Sequence, residues 1–312
     1  MLNVFRKISR YLPLALGITI LAVAAPLVPW HQVGPYLRKL TPLSIGLLLA
    51  TSAVYYLGRI VRYWLIQRLL GRPAAFRRVA LACLVAQPVA VLPGGELYRS
   101  TMLKRYADVP LSNGAPSVFA QSAAESAGLL VIALLGAATI HRYLGLVVGL
   151  VVVFVALWAI LHMQNTRTSH RLLVKLPWVN VSRARFRSFM DKNQQLLGGR
   201  NVAWLFLASC ITTGAGILTV FITARTLHAQ LDLGQAAVTY ALPMMLESVS
   251  FLPGGLGINE QSSIVLLRVF GVQLPLAVAI TIILRLVTLG MGFVYGFAAM
   301  GWAKLTHARR FD

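Results

Sequence analysis

Apolar stretches recur along the chain at Tyr11–Pro29, Leu43–Ile66, Pro116–Ile140, Tyr143–Met163, Val202–Ala224 and Pro275–Trp302, with polar or basic connections between them. Each is close to or above the roughly 20 residues that carry a helix across a hydrocarbon core of about 30 Å. The pattern predicts six spanning helices. The first follows a basic start and contains Ala22-Val23-Ala24, which imitates a signal-peptide cleavage site, but apolar character continues to Trp30, so a retained helix is expected. Between the second and third spans lies Val79–Leu92, whose 14 residues reach only about 21 Å as a helix. The following segment, Glu96–Asp108, carries Arg99, Lys104 and Arg105 and makes no lipid-facing return. A re-entrant hairpin is therefore expected, with its tip at Pro93-Gly94-Gly95.

A second Pro-Gly-Gly repeats the first. Gln87–Gly95 (QPVAVLPGG) and Glu247–Gly255 (ESVSFLPGG) share five of nine positions at an offset of 160, and the match continues at an offset of 164, where Glu96 faces Glu260, Lys104 faces Arg268, Gln121 faces Arg285 and Gly128 faces Gly292. The four extra residues are Leu256–Asn259. Counting crossings, the second tip is entered from the side opposite the first, so the expected organisation is an inverted repeat, the layout of many secondary transporters. Its parts are a first repeat over 43–163, a basic cytoplasmic loop over 164–200 and a second repeat over 201–303. The alternative for the second unit is two crossings, since Leu233–Leu252 has 20 residues. Pro and Gly break helices, and freed backbone groups are tolerated at membrane depth only against protein or a wet cavity.

Composition sharpens this picture to an all-α polytopic membrane protein. The chain of 312 residues is 58% hydrophobic and 12% charged, with a mean hydropathy of +0.73. Its 29 basic and 8 acidic residues do not read as a nucleic-acid surface, because the basic residues lie between apolar runs rather than in one patch. They read as topology: with the first hairpin re-entrant, 23 basic residues fall on one side, four on the other (Arg38, Lys39, Arg142, Arg225), and Arg268 and Arg285 fall within apolar segments. The positive-inside rule then puts both termini in the cytoplasm. Cys83 and Cys210 have no redox or metal spacing. In the basic loop, Ser182–Leu197 sets Phe186, Phe189, Met190 and Leu197 at helical spacing and is expected on the membrane surface, where basic residues meet anionic lipid. Asn180-Val181-Ser182 is a chance sequon, given its cytoplasmic position. Gly145–Gly149 and Gly292–Gly296 are helix-packing GxxxG patterns.

The candidate chemistry lies in the charges the apolar segments carry. Glu96, Glu125, Glu247, Glu260, Arg268 and Arg285 fall in or beside them. Isolated, they would cost roughly 15 to 21 kcal/mol together, so they must be paired, neutralised or hydrated. Ser117, Gln121, Glu125 and Gly128 share one helical face, and Thr281, Arg285, Thr288 and Gly292 another. Two readings stand: a structural network in which Glu125 pairs with Arg285, or one shared cavity in which arginines hold an anionic headgroup and a glutamate carries a proton. No nucleophile elbow, P-loop, HExxH or dinucleotide fingerprint occurs. Neither an enzyme nor a cofactor or metal is expected.

The residues FLPGGLGINE (Phe251–Glu260), Arg285 in ILRLVT and GELYR (Gly95–Arg99) resemble motifs of the flippase-like family typified by the transmembrane region of lysylphosphatidylglycerol synthases. The resemblance covers the chain from about Leu43 onward. With only ten residues after Trp302, the synthases' soluble aminoacyl-transferring domain is not expected, nor is lysine transfer. The resemblance implies movement of an anionic phospholipid or lipid-linked molecule between leaflets of a bacterial or archaeal type plasma membrane. In that reading Arg285, with Arg99, Arg268 and Gln121, engages the substrate, and Glu260, Glu125, Glu96 and Glu247 are the proton-coupling candidates. Pro93, Gly94 and Gly95 with Pro253, Gly254, Gly255 and Gly257 form moving gates. The rivals are a secondary transporter of a soluble anionic metabolite, whose cavity is closed to the bilayer, and a non-transporting partner of envelope-biosynthesis proteins, whose polar groups are satisfied internally.

Overall fold

The computed structural model describes residues 30–71, 73–91, 95–140, 145, 148–149, 152, 183–250 and 253–308. The span expected at Tyr11–Pro29 and all but four positions of that at Tyr143–Met163 lie outside the described residues, as do Pro93, Gly94 and the sequon. The described chain is helical, without strands, as suits a backbone that must satisfy its own polar groups in lipid. Its principal helices are α1 (Trp30–Leu37), α2 (Pro42–Leu69), α3 (Phe76–Ala90), α4 (Gly95–Ala107), α5 (Gly114–Ala138), α6 (Arg183–Leu197), α7 (Gly199–Thr226), α8 (Leu233–Ser250), α9 (Ile258–Val269), α10 (Leu274–Arg285) and α11 (Met291–Ala308). A π turn, Leu286–Gly290, joins the last two.

Four segments among the described residues are long and apolar enough to cross a membrane: Pro42–Leu69, Leu111–Ala138, Gly199–Thr226 and Leu274–Leu305. Local signals set their limits. Thr41 caps α2 by accepting from the Ser44 N–H (3.2 Å), with Pro42 next in the first turn, and Gly71 at φ 71° ends the turn after it. Asp232 and Gln235 exchange bonds of 2.7 and 3.0 Å at the start of α8, a reciprocal cap.

Between the long helices stand two pairs of short ones. α3 and α4 have 15 and 13 residues, or about 22 and 20 Å. Their outer ends are tied by Arg78 and Asp108 (3.3 Å), and at the inner end Gly95 passes so close to Val89 that a Cβ would overlap its carbonyl. α8 and α9, of 18 and 12 residues, are joined in the same manner: Gly255 lies on the Glu247 side chain, and Asn259 donates to Glu247 Oε2 at 2.6 Å. The order long, short, short, long thus occurs twice. α4 leads directly into the first turn of α5, whereas α8 begins beside its last turn, where Gly136 meets the Gly234 carbonyl. The inner ends of the two pairs touch, since a Cβ on Gly254 would stand 2.7 Å from Val91.

α2 and α7 form the most extensive helix pair, with Gly58 against Thr212 and a hydrogen bond of 2.9 Å between Thr219 and Thr51. Gly292 and Gly296 set α11 against Tyr56, Gln87 and Pro88, the close packing expected of that GxxxG pattern. One apolar cluster gathers α5, α7, α8 and α10 and another α3, α4 and α11, and the polar groups meet between them. α6 forms where the amphipathic pattern predicts it, but as a fastened helix: Lys192 donates to Asn113 Oδ1 (2.8 Å) and Ser112 O (3.1 Å), Gln195 to Leu69 O (2.7 Å), and Leu196 is fully buried. The side chains of Phe186 and Met190 lie outside the described residues.

Candidate functional site

A cavity of about 370 Å³ lies where the two short-helix pairs meet. At about 30 Å³ per water it has room for roughly a dozen waters or one small polar headgroup. Its wall carries Arg59 of α2, Glu96 of α4, Gln121 and Glu125 of α5, Glu247 of α8 and Arg285 of α10, together with Tyr55, Tyr56, Gln87, Gly254 and Gly255. The two polar faces expected from helical spacing therefore border one space. Gln121 and Glu125 face it from α5, and Arg285 and Thr288 from the other side, while Ser117, Gly128, Thr281 and Gly292 are spent on helix contacts.

The charges form three linked groups. Arg285 is gripped on every nitrogen: Nε donates to Glu260 Oε1 (2.5 Å), Nη1 to Glu247 Oε2 (3.3 Å) and Nη2 to the Gly254 carbonyl (2.8 Å). Glu260 also accepts the Gly257 N–H at 2.6 Å, so it caps α9 while it anchors the arginine. Arg99, only 1% exposed, donates to both Glu96 oxygens (3.0 Å each), to Gln87 Oε1 (3.1 Å) and to Cys83 O (3.2 Å). Glu96 accepts further from Arg59 Nη2 and Tyr63 Oη, each at 2.9 Å. The third group is Arg62, fully buried, whose Nη2 reaches Glu125 Oε2 at 3.2 Å and whose Nη1 reaches Ser209 at 2.5 Å.

Several sequence expectations change here. Glu125 pairs with Arg62 rather than Arg285. Arg59, Arg62 and Arg99, counted as cytoplasmic loop charges, stand inside the bundle. Arg99 is walled in behind Glu96 and is no part of the cavity lining. Arg268 is exposed in the last turn of α9, where it donates to Val272 O at 3.3 Å, so it is not brought to the cavity. Glu260 likewise lies behind Arg285 rather than in the lining. Gly254, Gly255 and Gly257 have φ of 56°, 63° and 90°, so the second tip does use glycine where other residues are strained, whereas Gly95 is needed for space. Arg59, Arg62, Tyr55 and Tyr56 are the residues that sequence reasoning missed.

Two polar atoms at the wall are buried without a hydrogen-bond partner, Arg59 Nε and Gln121 Oε1. Gln121 is 3% exposed, and its amide nitrogen points to Glu125 Oε2 (3.5 Å), which leaves the oxygen turned from the carboxylate it would repel. The cavity also reaches the surface. Ser122 of α5 and Ser248 of α8 border it and are exposed. These helices run antiparallel from their contact at Gly136 and Gly234, and each serine is 14 residues, or about 21 Å, from that contact. Among the described residues no cluster of three or more metal-ligating side chains occurs.

No curated protein matches the sequence. A family model described as the lysylphosphatidylglycerol synthase TM region matches residues 11–296. The membrane-length apolar helices and this match over most of the chain agree, and the protein belongs to the family of lysylphosphatidylglycerol synthase transmembrane regions.

Proposed function

We propose that the protein moves a phosphate-bearing lipid between the two leaflets of the plasma membrane, with both termini cytoplasmic. The observation that carries this reading is a polar cavity within a membrane-length bundle, with the guanidinium of Arg59 only partly satisfied at its wall. The headgroup phosphate binds at Arg59, whose guanidinium borders the cavity and is tied to Glu96 through Nη2, and a charge-assisted bond to phosphate is strong. Arg285 cannot take that role while all three of its nitrogens are engaged, so it positions Glu247 and the second tip.

The mouth at Ser122 supports a lipid over a soluble metabolite. It lies partway along the apolar segment Leu111–Ala138 rather than at an end, which lets acyl chains stay in the bilayer while the headgroup enters. In this reading α3/α4 and α8/α9 are re-entrant hairpins of an inverted repeat, and their touching tips at Gly254 and Val91 are the moving part. Of the four glutamates, Glu96, Glu125 and Glu247 line the cavity and are retained as the proton-coupling candidates.

The reading is tested by reconstituting the protein in vesicles with phospholipid labelled on an acyl chain and following how much label an external quencher reaches with time. Movement is expected with wild type and with Arg78→Ala, and is lost with Arg59→Ala. Movement unaffected by Arg59→Ala, in protein that elutes and melts as wild type does, removes the phosphate role of that residue.

A further inference from the structure

The cavity wall is electrically uneven, and the unevenness specifies a guest. On one side, Glu96 is shared by two arginines, Arg59 and Arg99, an excess of one positive charge. On the other, Arg285 is shared by two carboxylates, Glu247 and Glu260, an excess of one negative charge. Between them Arg62 and Glu125 cancel. With each group charged the whole cluster is neutral, four arginines against four glutamates, with the excess positive charge in the Glu96 group and the excess negative charge in the Arg285 group. Of the cluster's three unpartnered buried atoms, Arg62 Nε belongs to a residue outside the cavity lining, and the two on lining residues are Arg59 Nε, a donor in the positive group, and Gln121 Oε1, an acceptor on α5 beside Glu125.

We propose that the guest is a net-neutral headgroup carrying both a phosphate and a primary ammonium. This rests on the lipid-transport reading and names its substrate class. The phosphate sits at Arg59, and the ammonium sits among Gln121 Oε1, Glu125 and Glu247. A headgroup that is only anionic places one uncompensated charge in a site that is already balanced, and a buried uncompensated charge is costly unless a proton enters with it. A trimethylated ammonium has no N–H for the Gln121 oxygen, and a bare phosphate monoester leaves that oxygen unpaired as well. A neutral guest in a neutral site moves no net charge, so a glutamate need not titrate during transport.

The experiment uses the full chain in vesicles whose tail-labelled lipid carries one of four heads: ethanolamine, choline, glycerol or none beyond the phosphate. The expected result is that the ethanolamine lipid moves at least tenfold faster than the other three. Gln121→Leu should erase that preference by slowing the ethanolamine lipid alone, and Gln121→Asn, which keeps an amide acceptor there without adding charge, should retain part of it. Equal rates for ethanolamine and choline lipids, or faster movement of the glycerol or bare-phosphate lipid, overturn the proposal while leaving lipid transport standing. If no lipid moves at all, both the proposal and the transport reading fall.

Discussion

Each half of the protein holds an arginine in a three-sided grip, and the two grips differ at one position. Six residues before each Pro-Gly-Gly stands Gln87 in the first half and Glu247 in the second. Both reach the arginine, as does the glutamate that follows each tip, Glu96 or Glu260, and in both cases a backbone carbonyl completes the grip. The first arginine comes from its own short pair and is sealed away at 1% exposure, while the second comes from the next long helix and faces the cavity. The same arrangement thus serves as a lock in one half and as part of the wall in the other. One carboxylate more takes the second grip from neutral to an excess of one negative charge, while Arg59 on Glu96 gives the first side its excess positive charge, and both sides border the cavity.

Removing each arginine is the strongest way to break that comparison. Arg99→Met empties a sealed site and takes one donor from Glu96, Gln87 and the Cys83 carbonyl, with Arg59 and Tyr63 still on Glu96; it should cost about 3–5 kcal/mol of stability, as loss of one partner in a buried pair does. Arg285→Met leaves its carboxylates next to a wet cavity, and about 1–3 kcal/mol is expected. Thermal unfolding in detergent measures both, and equal losses would mean that the two grips are equally structural. A lesser effect separates the tips. Gly255→Ala meets both a φ of 63° and the flexible Glu247 side chain, whereas Gly95→Ala overlaps the backbone of Val89 and Ala90 at an ordinary φ and disturbs no charge. The first should cost about 1–3 kcal/mol from strain and also disturb the Glu247–Arg285 contact, so transport should fall with stability in Gly255→Ala. Smaller again is Gln87→Glu, which gives the first grip the second's charge. It should slow ethanolamine-lipid movement about tenfold, equivalent to about 1.4 kcal/mol, and Gln87→Met, which adds no charge, should slow it less.

Much of this was legible in the sequence because helical spacing is local. Gln121 and Glu125 had to share a face, and the first Pro-Gly-Gly had to follow a helix too short to span, while the 20 residues of Leu233–Leu252 left the second open. Arg59 and Arg62 were hidden for the opposite reason. Their carboxylates arrive from 37 and 63 residues further on, and a tally of basic residues treats every arginine near the end of an apolar run as a loop marker. Nothing in the chain's order announces that Glu96 and Glu125 fold back to meet them. Arg268 was misplaced by the repeat itself: it matches Lys104, and both lie in last turns, where a basic side chain serves the helix end. Glu260 was readable as a charge but not as a cap, because Gly257 gives no side-chain signal for the start of α9.

The smallest expected effect concerns why only the second half needs a hinge after its arginine. α5 continues unbroken past Gln121, while its counterpart widens into the π turn Leu286–Gly290 directly after Arg285. In that turn two successive carbonyls are met from α2, Val287 O by the Ser52 hydroxyl at 2.9 Å and Thr288 O by the Tyr56 hydroxyl. Ser52 and Tyr56 are four apart and so lie on one face of α2, and Arg59 follows Tyr56 by three, so that face runs from the turn after Arg285 to the arginine proposed to bind phosphate. Tyr56→Phe removes one neutral hydrogen bond while keeping the ring against Tyr55 and Tyr295, and should cost about 1 kcal/mol of stability. If the π turn only accommodates local packing, transport by Tyr56→Phe will match wild type at temperatures well below its melting point. If it couples the halves, the rate will change by more than the stability loss accounts for, and Ser52→Ala, one turn further from Arg59, will change it less.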